Sequence, residues 1–279
     1  MNRTALVTGA SSGIGLATAV ALAARGYRVL GTSRDPRSLP AERRADGVEY
    51  LALDLSSEES IEALADRLAG VDILVNNAGE SQSGPFEELP ADALRRLFQV
   101  NVLGPVRLSQ LALPGMRERG YGRVVMVGSM LASFPLSYRS SYVATKAALK
   151  GFSNGARHEL SPFGIWLTTV EPGSINTGIS ERRTRYIAPD SPHRRDFETM
   201  LAALDRNERA GCRRRTRRRG DRQGDRGGPP PAPVRRGQQR AVRLRPAPGA
   251  AGGPDREGRT PPARPHPLTL TRLTLARRA

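Results

Sequence analysis

Apolar positions follow two textures along the first 170 residues. Short unbroken runs occupy Ala5–Thr8, Arg28–Thr32, Val48–Leu53, Val71–Asn76, Arg123–Gly128 and Ile165–Val170. Between them, Ile14–Arg25, Glu58–Leu68, Ala91–Arg119 and Tyr142–Leu160 carry apolar residues at helical spacing. Runs rich in β-branched residues without alternation predict strands buried on both faces, hence a parallel sheet between helix layers. The β-α order predicts an α/β doubly wound parallel sheet, a Rossmann fold, as a single domain. Ligands of such sheets bind beyond the carboxyl ends of the strands, so functional residues are expected where each strand stops.

Composition divides the chain. The whole sequence of 279 residues holds 44 Lys+Arg against 27 Asp+Glu, a net charge of +17. From Gly211 to Ala279 there are 19 Arg, no Lys and four acids, so nearly all the excess lies there and residues 1–210 are close to neutral. The same tail has 11 Pro and 10 Gly and neither Phe, Tyr nor Trp, a composition expected to be disordered. The predicted organisation is a domain at 1–205, with 178–205 as a polar substrate lid, followed by a tail at 206–279. A lone Cys212 excludes a disulfide framework and a cysteine zinc site, three scattered His lack metal-ligand spacing, and no metal is expected. The chain enters a strand pattern at once and has no long apolar span, so a cytoplasmic protein without a membrane partner is expected.

The first predicted strand runs into Thr8-Gly9-Ala10-Ser11-Ser12-Gly13-Ile14-Gly15 and then a helix. Glycines let a pyrophosphate approach the backbone, and a helix N-terminus offers free N–H groups and a positive dipole end. Gly9, Ser11, Ser12, Gly13, Ile14 and Gly15 are therefore candidate dinucleotide contacts; a plain turn is the structural alternative. The second strand ends in Ser33-Arg34-Asp35. An acid at such an end suits the ribose hydroxyl of NAD, a base the 2′-phosphate of NADP. Ser33 stands where the acid would be and Arg34 follows, which favours NADP. NAD is the alternative because Asp35 is one step away. Tyr142 and Lys146 lie four apart, on one face of a predicted helix. A neighbouring ammonium favours the phenolate, so Tyr142 can exchange a proton with an alcohol or carbonyl. Lys is otherwise found only at Lys150.

Together these motifs resemble the short-chain dehydrogenase/reductase family over roughly residues 3–178. The resemblance implies an NAD(P)-dependent oxidoreductase acting on an alcohol or ketone. It implies that Asp54 meets the adenine, although capping of the next helix is an alternative that Ser56 or Ser57 can also fill. In Asn76-Asn77-Ala78-Gly79 it implies that Asn76 and Ala78 flank the cofactor, in a partly structural role in which the Asn amides bridge neighbouring strand ends and the small Ala78 and Gly79 admit the ribose. Ser129, 13 residues before Tyr142, is implied to hold the substrate oxygen. Asn101 is implied to relay protons through a water to Lys146, which also binds the nicotinamide ribose. Pro172, Gly173, Ile175 and Thr177 are implied to hold the nicotinamide carboxamide. Glu171 and the Ser33-Arg34 pair resemble the branch with retinol- and hydroxysteroid-type members, pointing to an apolar substrate. A homo-oligomer is implied where the C-terminus is intact.

The family closes its sheet with a seventh strand and a last helix, and residues 211–279 resemble neither. One reading is a basic arm binding nucleic acid through phosphates, which would make the chain a catalytically weak nucleotide-binding protein. Another is a solvated linker. The third, which the code favours, is off-frame translation of GC-rich DNA. Read one base later with permitted codons, Pro233–Arg240 can become Arg-Tyr-Val-Val-Gly-Ser-Asn-Ala, a strand-like stretch with a common family ending. The shift would fall near residues 205–212, and nucleic acid would then be no partner.

Overall fold

The computed structural model describes residues 3–175, 178–179 and 181–210. The expectations for Thr177 and for residues 211–279 lie outside them.

Six strands form a parallel sheet: β1 (Thr4–Val7), β2 (Arg28–Ser33), β3 (Val48–Ala52), β4 (Ile73–Asn76), β6 (Gly122–Val127) and β7 (Ile165–Val170), in the order β3-β2-β1-β4-β6-β7. Each strand lies within two residues of the apolar run that predicted it. The reversal of order beside β1 opens a crevice at the carboxyl ends of β1 and β4, where a doubly wound sheet binds its ligand.

Register explains the two cores. Leu30, Leu6, Leu74, Val124 and Leu167 stand side by side across the sheet. They share one core with Leu108, Ala112 and Met116 of α5 (Gly104–Glu118). Val7 and Val75 point the other way and pack with Ala19 of α1 (Gly13–Ala23). Strand alternation thus assigns one apolar set to each helix layer.

Two expectations change. The single helix expected at Glu58–Leu68 is two, α2 (Glu58–Glu62) and α3 (Ala65–Ala69), separated where Leu64 takes φ −92° and ψ 0°. The helix expected at Ala91–Arg119 is α4 (Ala91–Phe98), a π-helical turn at Gln99–Leu103, and α5. Pro105 carries no N–H to close the α-helical bond on the Asn101 carbonyl, and the ladder shifts there. The segment expected as a substrate lid, 178–205, carries regular structure among its described residues. The two-residue strand β8 (Thr184–Arg185) pairs with β5 (Gln82–Ser83), and α7 (Arg194–Ala210) runs on past residue 205 with Phe197 and Leu201 buried. The remaining long helix, α6 (Ser140–Leu160), begins two residues before the expected Tyr142.

Candidate active site

A cleft of about 640 Å³ runs along the carboxyl ends of the sheet. One end is built by the loop after β1. Gly9 and Gly13 adopt φ of +66° and +54°, a backbone region that favours glycine. A Cβ at Gly15 would collide with the Gly9 carbonyl and stand 2.5 Å from Asn77 Nδ2. Gly15 therefore packs the helix against the loop and does not border the cleft, whereas Gly9, Ser11, Ser12, Gly13 and Ile14 do. The loop is braced from β4: Asn77 Nδ2 donates to the Thr8 carbonyl at 2.9 Å, and Thr8 Oγ1 accepts the main-chain N–H groups of Asn77 and Ala78, each at 2.9 Å. The first turn of α1 has no acidic residue and Ser12 makes no side-chain cap, so the helix dipole faces the cleft without a local anion.

At the end of β2, Ser33, Arg34 and Arg43 border the cleft. Ser33 Oγ is buried and has no hydrogen-bond partner among the described residues. Asp35 is outside this lining. Its Oδ1 accepts the Arg37 main-chain N–H at 3.0 Å, and that bond holds its carboxyl below the usual range. At the end of β3, Asp54 borders the cleft while Oδ1 accepts Ser56 Oγ at 2.7 Å and Ser56 N at 2.9 Å. These bonds lower its pKa. The cap of α2 is Ser57, which accepts the Ser60 N–H at 3.1 Å, so Asp54 is not needed for it.

The fourth strand end differs from expectation. Asn76 shares a face with Leu74 and turns inward, donating to Ser109 Oγ at 3.0 Å, and it does not border the cleft. Asn77 is the brace, and Ala78 and Gly79 form the wall.

The other end of the cleft gathers Ser129, Tyr142 and Lys146. Ser129 follows β6 and accepts the Leu131 N–H at 3.2 Å. Tyr142 and Lys146 share one face of α6 and are both buried. Lys146 Nζ donates to the Val127 carbonyl at 2.9 Å and lies 5.7 Å from the centroid of the Tyr142 ring. Burial pushes the Lys146 ammonium down to about 8. Burial pushes the Tyr142 phenol up, and the Arg139 charge and the Ser129 hydroxyl pull it back. Pro172, Gly173 and Ile175 close the wall after β7.

Asn101, in the π-helical turn, is buried outside this lining. Its Oδ1 accepts the Glu80 N–H at 2.8 Å, and Nδ2 donates to the Glu80 carbonyl at 2.9 Å. Gly79 fits between: a Cβ there would stand 2.9 Å from Asn101 Oδ1 and 3.8 Å from Lys146 Nζ.

Sequence reasoning missed Arg43 and above all Arg139. Arg139 precedes the expected helix start at Tyr142 and stands at the N-cap of α6 with φ −123° and ψ 13°, outside the helical period, so no spacing marked it.

The comparisons agree with this geometry. The family model described as short chain dehydrogenase matches residues 3–187. The uncharacterized oxidoreductase YusZ of Bacillus subtilis is 38% identical over 219 residues, 73% of this chain and 77% of that protein. Human 17-beta-hydroxysteroid dehydrogenase type 1 is 39% identical over 190 residues, 63% of this chain and 58% of that one. A solved short-chain dehydrogenase from Sphingobium yanoikuyae in complex with NADPH is 30% identical with a TM-score of 0.58, covering 76% of this chain and 97% of that one. The chain belongs to the short-chain dehydrogenase/reductase family. It is an NAD(P)-binding oxidoreductase with a Rossmann fold, acting on alcohol or carbonyl groups. Among the described residues, no helix is long and apolar enough to cross a membrane.

Proposed function

We propose that the chain transfers a hydride between NADP and an alcohol or ketone, with Tyr142 as the general acid and base. The observation that carries this reading is the convergence of Ser129, Tyr142 and the buried Lys146 on one cleft, with Lys146 Nζ 5.7 Å from the centroid of the Tyr142 ring. NADP, when bound, supplies or accepts the hydride. In the reducing direction Tyr142 gives its proton to the carbonyl oxygen, and Ser129 donates a hydrogen bond to that oxygen as charge develops on it. The Lys146 ammonium, fixed by the Val127 carbonyl, stabilises the phenolate left behind. Asn101 keeps the Glu80 turn in place through its amide. A proton relay at Asn101 would use its main-chain carbonyl, because Pro105 withholds the α-helical N–H from that oxygen.

The residues present fit a dinucleotide. The Gly9–Gly15 loop closes without side chains in the way, and α1 directs its dipole at the cleft. A phosphate is favoured at the second strand end by the orphaned Ser33 hydroxyl and by Arg34 and Arg43 in the same cleft wall, with Asp35 engaged in its own turn. Asp54 is assigned to the adenine. Residues 178–205 are assigned to the cover of the substrate end, supported by Arg182, Thr184 and Leu204 in the cleft wall. The test follows absorbance of NADPH and NADH with a panel of ketones and aldehydes. Consumption of NADPH at least tenfold faster than NADH supports the reading; preference for NADH removes the NADP assignment, and no consumption of either removes the enzyme mechanism.

A further inference from the structure

Arg139 carries a buried charge with no ion-pair partner among the described residues, and the Glu208 carboxylate favours it only from beyond ion-pair reach. It stands at the N-cap of α6, and its guanidinium carbon lies 4.4 Å from the centroid of the Tyr142 ring. It is only 3% exposed, and it borders the cleft. A guanidinium has five N–H donors. Nη1, with two of them, faces Ser81 Oγ at 3.0 Å, the Gln82 carbonyl at 3.0 Å and Ser83 Oγ at 2.9 Å, all neutral acceptors. Nε is buried without a partner, and Nη2 donates to no group among the described residues.

Glu208, which also borders the cleft, favours the Arg139 charge without touching it, and its oxygens accept from Arg183. Arg183, whose side chain is fully buried, takes Asp205 at 2.9 Å and Glu208 at 3.0 Å. Burial, joined by the Arg183 charge, pulls Arg139 down to about 10. Buried charges in proteins are paired, and one left without an anion is costly. The contacts of Nη1 bolt α6 to β5 and leave the rest of the planar fork unused.

We propose that Arg139 receives a carboxylate of the substrate, so that the compounds reduced here are oxo acids rather than neutral ketones. The proposal rests on the hydride-transfer reading above. A planar guanidinium matches a carboxylate in shape and charge. A neutral ketone would leave Nε and Nη2 of the cation without an anionic acceptor beside the reacting phenol, whereas an oxo acid brings one. The carboxylate is unchanged in the reaction. The carbonyl carbon gains the hydride given up by NADPH, the oxygen gains the Tyr142 proton, and a hydroxy acid and NADP are left.

The test uses the full chain with benzoylformate and its methyl ester. The wild type is expected to show kcat/KM at least tenfold higher for the acid. Arg139→Met is expected to lower the acid-to-ester ratio at least tenfold, and Arg139→Lys to retain part of it. An equal or ester-favouring ratio in the wild type overturns the proposal, as does a ratio unchanged in Arg139→Met. Should Arg139→Met fail to fold, the wild-type and Arg139→Lys ratios decide. Binding is read separately: benzoylformate is expected to raise the melting temperature of the wild-type NADP complex, and no rise overturns the proposal whatever the turnover. A chain that reduces the ester but ignores the acid loses only the carboxylate assignment; one that reduces no carbonyl compound loses the reductase reading itself.

Discussion

The Lys146 ammonium donates to the Val127 carbonyl, tying the middle of α6 to the last residue of β6. Ser129 lies two residues beyond that carbonyl and Tyr142 one turn before that lysine, so one bond spans the two elements that bring the hydroxyls together.

The same burial makes stability depend on pH. Lys146 titrates at about 8 when folded and near its ordinary 10.5 when unfolded. Between these values only the unfolded chain holds the proton, so folding stability gains from rising pH in that window. Relative to Lys146→Met, the wild type is expected to gain up to ~3 kcal/mol from pH 8 to 10.5, read by urea unfolding. Parallel curves for the two proteins would show that the ammonium is not desolvated.

Gly15→Ala is expected to weaken NADPH binding at least tenfold and to destabilise the fold by ~1–3 kcal/mol, because the added methyl meets the Gly9 carbonyl. Cofactor fluorescence and a urea melt measure the two effects. Unchanged values for both would mean that the loop and α1 are packed less closely.

Arg34→Ala with Arg43→Ala is expected to lower kcat/KM for NADPH by ~10–100-fold and leave that for NADH nearly unchanged, through loss of two charge-assisted contacts. Equal losses with both cofactors would place these arginines away from any 2′-phosphate.

Much of this was legible beforehand. Strands buried on both faces write themselves as apolar runs, which located the strand ends that build the cleft. Asn76 was misassigned between two adjacent asparagines, although alternation from Leu74 already places its side chain toward the core. The bend at Asn101 was hidden because apolar spacing continues through Gly104-Pro105. The β5–β8 pairing involves two polar residues on each strand and so carries no period. Arg139 reads as one arginine among many; only tertiary packing buries it beside Tyr142.

The outer edge of the sheet bears on the tail. Among the described residues β7 pairs only with β6, and Trp166 and Val170 are 56% and 49% exposed. A strand edge unpaired among the described residues is open to another strand. Resequencing the coding DNA across codons 200–215 is expected to show a one-base difference, and the restored chain to melt several degrees higher. A confirmed frame would contradict this.

The most direct test of the central claim is NADPH oxidation by Tyr142→Phe with a ketone that the wild type reduces. Turnover is expected to fall at least a thousandfold while NADPH binding stays within about twofold, since the phenol supplies the proton rather than the fold. Turnover retained within tenfold would contradict the account and move the proton donor to another group.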